Sequence, residues 1–292
     1  MSPTFQEFQM AMLSRTNLNL GAGESQTSIN TWQWRTWEGL PYLTCSLLER
    51  WSHGFFTQQF SPLSPAELVS VLQADARVYR VKQVHGNTVM TPSEIEAAAN
   101  EVQETGDSLP PADGIVSQQV QQAVWVCSAD CTPVLIADHH TGQVAAIHAG
   151  WRGTATRIVP QAIARFLASG SQLQNLLVAM GPAIAGDVYQ VSVNVASEVG
   201  ASILPNKDPQ KDTESILDAL QQLPHSPLLE DSQPGRVRLD VRRVNQLQLK
   251  QLGISNEQIV IAPHCTYQEP EHFFSYRRDK LKKVQWSGIV SI

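Results

Sequence analysis

The sequence predicts one globular domain of short buried strands interspersed with helices, on three observations. Apolar runs rich in β-branched residues, such as Val134-Leu135-Ile136-Ala137, are too short for helices and are bounded by turn residues. Other stretches repeat apolar residues at helical spacing, as at Ile158, Val159, Ala162, Ile163, Phe166 and Leu167. A chain of 292 residues with 42% hydrophobic and 16% charged content can bury one sizeable core.

Residues 1–30 are polar, rich in Ser, Thr, Asn, Gln and Gly, and read as a flexible N-terminal extension to a domain spanning 31–292. Trp32 to Leu48, broken by Gly39 and Pro41, predicts a hairpin, and His53 to Thr57 a turn into a strand. Ser64 is placed to cap a short helix that opens at Pro65. Val78 to Val84 predicts a strand ending at His85-Gly86-Asn87, where Gly86 permits a sharp turn. Ser93 to Val102 reads as a helix, 104–112 as a polar loop, and Asp113-Gly114 as the entry to a strand. Val124 to Cys127 reads as continuing through Pro133 to Ala137, and a turn at Asp138 to Gly142 leads into a second buried strand, Gln143 to His148.

Thr154 to Ser169 carries the helical stripe, with Pro160 either in its first turn or at a kink. Leu176 to Met180 predicts a strand and Asn194 to Leu204 a helix. Residues 205–235 are polar and proline-punctuated around one amphipathic turn, and read as a surface insertion. Arg236 to Leu239 then predicts a strand, Val241 to Leu252 a helix closed by Gly253, and Ile259 to Ala262 a strand. His264 to Asp279 reads as a polar loop.

A net charge of -6 argues against nucleic acid or an anionic membrane surface as a partner and favours a small-molecule substrate. No run of 18 apolar residues occurs, and the N-terminus lacks a basic start followed by an apolar core, so a soluble cytoplasmic protein is expected. Four cysteines are too few for a disulfide scaffold at this length, and free thiols are expected.

Three residues at strand or loop ends, His85, Cys131 and His148, form a donor set that zinc accepts with one position left open. Isolated histidines and cysteines are equally often packed in cores, and sequence spacing alone leaves both readings open. Cys131 with His148 also has the composition of a nucleophile and its base.

Taken in order, the strings VKQVHGN, ADGIVS, CSADCTPVLIAD, IHAGWRGT, MGPAI and FFSYRRD resemble the laccase-domain family, also called the polyphenol-oxidase or purine nucleoside phosphorylase family. The resemblance runs from about His53 to Asp279. It implies a single α+β domain of mixed β-sheets packed together with flanking helices, a fold shared with cysteine-histidine hydrolases. It also implies a zinc on His85, Cys131 and His148, phosphorolysis of adenosine, inosine, guanosine or methylthioadenosine, and deamination of adenosine. Two family features are missing: a cysteine-rich turn after the Gly-Pro segment, and a Gly-Gly-Val-Ser stretch with a Ser-Leu-Asn loop after Thr57. A similar string, Asn17 to Gly21, lies instead near the N-terminus.

With a purine nucleoside and phosphate as expected substrates, the remaining candidates take roles. Cys131, His148, Asp130 and Arg152 form the expected catalytic group. An open zinc lowers the pKa of a bound water to about 7, and Asp130, the nearest carboxylate in sequence, is placed either to shuttle protons or to orient a ligand. Arg152, between Gly150 and Gly153 at a helix start, is the phosphate candidate, with Arg277 and Arg278 as further cations. Trp151 or Tyr276 is placed to stack on a purine, while His53, Gln83 and Asn87 are expected to line the pocket. Coupled copper centres need many imidazoles in His-x-His pairs, and this chain has eight histidines with no such pair. Copper in vitro would compete for the same three ligands. The alternatives are a metal-binding or redox protein without turnover, and a cysteine hydrolase.

Overall fold

The structure, a computed structural model, describes residues 31–102 and 109–292. The expected N-terminal extension, Asn17 to Gly21 included, and positions 103–108 of the expected polar loop lie outside the described residues.

Strands β1 (Trp32–Trp37) and β2 (Leu40–Cys45) make the expected hairpin, reversed at Glu38 and Gly39, both at positive φ. After β3 (His53–Phe56) comes helix α1 (Pro65–Leu72), whose Glu67 carboxylate accepts the Ser64 N–H at 2.8 Å. Strand β4 (Arg77–Tyr79) ends well short of the expected Val84, because the chain turns away to reach His85 at φ 61°. There follow β5 (Val89–Met90), α2 (Pro92–Val102), β6 (Gly114–Val116), β7 (Gln122–Ser128), β8 (Thr132–Asp138) and β9 (Val144–Ala149).

The single helix expected after Gly153 is two, α3 (Trp151–Ala155) and α4 (Ile158–Ala168), broken where Arg157 takes φ 62°. Pro160 falls in the first turn of α4, where its missing N–H has no intrahelical partner to lose. The chain continues through β10 (Leu176–Met180), β11 (Gln190–Ser192), α5 (Val193–Ala201), α6 (Thr213–Gln221), β12 (Leu228–Leu229) and β13 (Arg236–Leu239). Helix α7 (Val241–Gln251) is followed by Gly253 at φ 96°, then β14 (Ile259–Ile261). The expected polar loop at 264–279 contains a one-turn helix, α8 (Tyr276–Asp279), capped by the Ser275 hydroxyl, and β15 (Gln285–Val290) ends the fold.

The strands form two six-stranded mixed sheets, in the orders β1-β2-β3-β15-β7-β4 and β14-β10-β8-β9-β6-β5, and a three-stranded sheet, β11-β13-β12. This is the α+β architecture that the resemblance implies. The apparent continuity from Val124 to Ala137 conceals a change of sheet: β7 lies in the first and β8 in the second. The chain crosses between them at Ala129-Asp130-Cys131, with Asp130 at φ 94°.

Strand parity explains why these runs are apolar throughout. Val124 and Val126 of β7 face the core between the two sheets, with Leu135 and Ala137 of β8 and Val144 and Ala146 of β9. Ala123 and Trp125 face the opposite side, toward α1, while Val134, Ile136, Ala145 and Ile147 face α4 and α7. Each fully buried Val, Leu or Ile among them contributes about 1.5–3 kcal/mol. The four cysteines are free, as expected.

The 205–235 segment carries more structure than its polar composition suggests. Its amphipathic turn is part of α6, whose Ile216 and Leu220 are fully buried in a third apolar cluster with Val199, Leu239 and Val244. No helix among the described residues is long and apolar enough to cross a membrane.

Candidate metal centre

Sheet register assembles the site. In the β6–β9 pairing Gly114 stands opposite Ile147, and the next main-chain bond runs from His148 N–H to the Asp113 carbonyl at 2.7 Å. On the other side of β9, Pro133 of β8 stands opposite His148 and Thr132 opposite Ala149. His148 therefore has Asp113 on one flank and the Cys131 corner on the other. Its parity, shared with Val144 and Ala146, places it on the face toward the first sheet.

His85 joins from the loop after β4. The carboxylate of Asp113, itself fully buried, accepts the main-chain N–H groups of Val84 at 3.2 Å, His85 at 2.9 Å and Gly86 at 2.7 Å. Such a nest fixes the loop in a conformation that a β-type residue would not otherwise adopt. Asp113 Oδ1 also takes the Nδ1–H of His148 at 2.8 Å, which leaves Nε2 as the free donor of that ring. Asp113 was legible only as a strand entry, yet it positions both imidazoles.

The candidate ligand atoms of His85, Cys131 and His148 all lie within 4.8 Å of one another. Among the described residues this is the one group of three or more His, Cys, Asp or Glu side chains so arranged. A thiolate, two imidazoles and a carboxylate behind one of them suit a borderline divalent ion, so the residues fit a metal. Glycine is needed beside them: a Cβ on Gly150 would sit 2.8 Å from Cys131 Sγ and 3.5 Å from His85 Cδ2.

Charge coupling in the metal-free chain is strong. Burial pushes the Cys131 thiol up, but the His148 and His85 rings outweigh it and bring its pKa down to about 6. Burial pulls His148 down, while the Cys131 charge and the Asp113 carboxylate outweigh it and raise its pKa to about 9. Asp113 itself would rise through burial, yet the bonds from His148 and the main chain hold it below the usual carboxylate range. The Cys127 thiol is driven up to about 11 by burial and stays protonated at neutral pH.

The other expected residues divide. Asp130 is buried at the corner, but its Oδ1 accepts the Thr266 hydroxyl at 2.8 Å and its Oδ2 the Arg277 N–H at 2.6 Å. It ties two points of the 264–279 loop to the corner, and both of its oxygens are engaged, contrary to a free proton shuttle. His53 does not line the centre. Its ring accepts the Cys45 N–H at 3.0 Å and meets the Trp51 carbonyl at 2.8 Å, so both nitrogens serve the main chain. Gln83 is likewise engaged, pairing with the N–H and carbonyl of Cys127 at 2.7 Å each, in place of the strand that ended at Tyr79.

Arg278 is structural as well. It donates to the carbonyls of Thr266, Tyr267 and Phe273 and to the Asp279 carboxylate, which fixes the 264–279 loop. Asn87 donates to the Thr156 carbonyl at 3.0 Å, joining the His85 loop to the end of α3. Trp151 is half-buried with Arg152 stacked over it at 4.3 Å, and Tyr276 is exposed. The helix behind Arg152 is only the five-residue α3, too short to supply the expected anion-binding dipole. His139 and His140 are exposed in the β8–β9 turn, as their composition predicts.

Fold and site together define a mixed-sheet α+β protein with a His-Cys-His group able to hold a metal ion at the seam between two sheets. The chain belongs to the multi-copper polyphenol oxidoreductase laccase family, whose profile matches residues 65–290. It is 53% identical over 260 residues to a purine nucleoside phosphorylase of Synechocystis, covering 89% of this chain and 97% of that protein. It is 28% identical over 180 residues to adenosine deaminase RL5 from an unknown prokaryotic organism, covering 62% of each chain. The fold matches the crystal structure of YlmD from Geobacillus stearothermophilus with a TM-score of 0.71 and 23% identity, over 88% of this chain and 98% of that one.

Proposed function

We propose that the chain is a purine nucleoside phosphorylase that also deaminates adenosine, working through a zinc ion on His85, Cys131 and His148. The observation that carries this reading is the convergence of those three donors within 4.8 Å, with Asp113 fixing His148 from behind. The names of the relatives from Synechocystis and of RL5 support the substrate class. A bound zinc supplies Lewis acidity and lowers the pKa of a coordinated water to about 7.

In phosphorolysis an oxygen of hydrogen phosphate bonds to C1′ of the ribose as the bond from C1′ to the base nitrogen breaks. The electron pair leaves on the purine, which takes up the proton of hydrogen phosphate, giving free base and ribose 1-phosphate. In deamination water adds at C6 and ammonia departs, giving inosine. For the first reaction the chain supplies cations beside the centre, Arg152 and Arg277. For both it supplies two imidazoles beside Cys131, the His148 ring held in one orientation by Asp113 and the His85 main chain fixed by the same carboxylate.

The test mixes metal-loaded protein with adenosine and phosphate and assays adenine, ribose 1-phosphate and inosine. Products that vanish in Cys131→Ser along with the bound metal support the reading; a metal-loaded protein that forms none of them sinks it. A second reading, Cys131 as a thiolate nucleophile beside the His148 imidazolium, draws on the depressed thiol pKa of about 6. Zinc and a free catalytic thiolate compete for one sulfur, so tightly held stoichiometric zinc decides against it.

A further inference from the structure

Tyr189 is linked to the candidate centre through Arg277, which lies over its ring and bonds Asp130, although no sequence pattern assigned it a role. A single 3₁₀ turn, Gly186–Val188, delivers it to the start of the third sheet. Its N–H bonds the Gly186 carbonyl at 3.3 Å, and its own carbonyl accepts the Leu239 N–H at 3.1 Å, so its main chain is tied on both sides. The ring packs with Trp151 against the third apolar cluster.

One guanidinium lies over this phenol, and a second lies over Trp151, which packs against the same apolar cluster. The first, of Arg277, lies 4.7 Å from the Tyr189 ring centroid, with Nη1 on the Gln190 carbonyl at 2.7 Å and its own N–H on Asp130 at 2.6 Å. Its Nε and Nη2 have no partner among the described residues. Arg152, stacked on Trp151 at 4.3 Å, makes no side-chain hydrogen bond among them either. Arg277 is tied through its N–H to Asp130, the neighbour of Cys131, and Arg152 lies two residues from Gly150, where a Cβ would sit 2.8 Å from Cys131 Sγ, so both cations are anchored at the Cys131 corner. Burial foremost raises the Tyr189 pKa to about 12, which keeps the hydroxyl a neutral donor.

We propose that Arg277, Arg152 and the Tyr189 hydroxyl form an oxyanion subsite beside the metal centre, which takes inorganic phosphate as the attacking substrate. The assignment of phosphate as a reactant rests on the phosphorolytic reading above. Two planar forks with open N–H groups match the oxygens of a dianion, and the phenol adds a third donor without adding charge. Asp130 and the Cys131 thiolate are the opposing charges nearby; both oxygens of Asp130 are already bonded by Thr266 and Arg277, and a metal on Cys131 would offset the thiolate. Its bond to the Arg277 main chain sets where that guanidinium stands.

The test titrates inorganic phosphate calorimetrically into the full-length, metal-loaded chain, and then follows adenosine phosphorolysis. Arg277→Met and Arg152→Met should each weaken phosphate binding about tenfold or more, and Tyr189→Phe about threefold to tenfold. Arg277→Lys, which restores charge without the fork, should recover part of the loss. In turnover, KM for phosphate should rise by the same factors while KM for adenosine moves far less, a split that general loosening of the fold would not produce. Metal content in every variant reports whether the neighbouring centre is intact. Phosphate binding that is undetectable in the parent chain, or equal in parent and variants, overturns the subsite. Phosphate bound here and lost in the variants, with no ribose 1-phosphate from the parent chain, keeps the subsite and overturns the phosphorolytic reading alone.

Discussion

Asp113 Oδ1 lies 2.8 Å from Nδ1 of His148, and the same carboxylate closes on the N–H groups of Val84, His85 and Gly86. One buried side chain thereby holds two candidate ligands from different parts of the sequence. An amide in its place sets an NH₂ group against main-chain donors. Asp113→Asn is expected to weaken metal binding about 10- to 100-fold, read by competition with a chromophoric chelator. Unaltered affinity would remove Asp113 from this role.

Gly150 is an equally local test. Gly150→Ala brings a Cβ to 2.8 Å from Cys131 Sγ and 3.5 Å from His85 Cδ2, so its nearest neighbours are two of the candidate ligands. The variant should fold and lose metal affinity, with both measured on one preparation by circular dichroism and metal analysis. Full metal content would show that the sulfur does not need that space.

The pKa pattern gives a signed expectation for metal uptake. At pH 7 the Cys131 thiol, at about 6, has already ionised, whereas His148, at about 9, still holds a proton on the nitrogen a metal needs. Binding at pH 7 should therefore release about one proton per ion from these two side chains, beside any from a metal-bound water. The side-chain share should grow as pH falls below 6 and vanish as it rises past 9, where only the water's proton remains. Calorimetry in buffers of different ionisation enthalpy counts these protons, and zero release at pH 7 would contradict the coupling.

Arg278 separates loop architecture from substrate contact. Arg278→Ala removes donors to the carbonyls of Thr266, Tyr267 and Phe273. It should cost about 1–3 kcal/mol of stability in denaturant unfolding and leave metal content unchanged. A normal unfolding midpoint combined with a raised nucleoside KM would restore the substrate role that the sequence suggested.

The three candidate ligands were legible because each stands at the end of an apolar run, next to a small or turn residue. Asp113 was not, since its partners lie 27 to 35 positions away and its immediate context, Asp-Gly before Ile-Val, reads equally well as an ordinary strand entry. The sheet exchange between Ser128 and Thr132 was hidden for a related reason. Both flanking strands are buried on both faces, so hydrophobicity carries no phase to mark the crossing. His53, Gln83 and Arg278 looked functional because they are polar residues within or beside the family strings. Apart from the Asp279 carboxylate on Arg278, their partners are main-chain groups, which no side-chain pattern announces. The helix at Thr213–Gln221 was reduced to a single turn because prolines on either side mask it.

The Cys131 corner has a mechanical meaning as well. His148 belongs to the second sheet, His85 follows the last strand of the first, and Cys131 occupies the crossing between them. An ion gripped by all three would rivet the sandwich, locking the two layers against sliding past each other. Stripping it should let amide hydrogens at this end exchange sooner than those deep in β8 and β9, so the chelated protein would loosen along its seam before it melts.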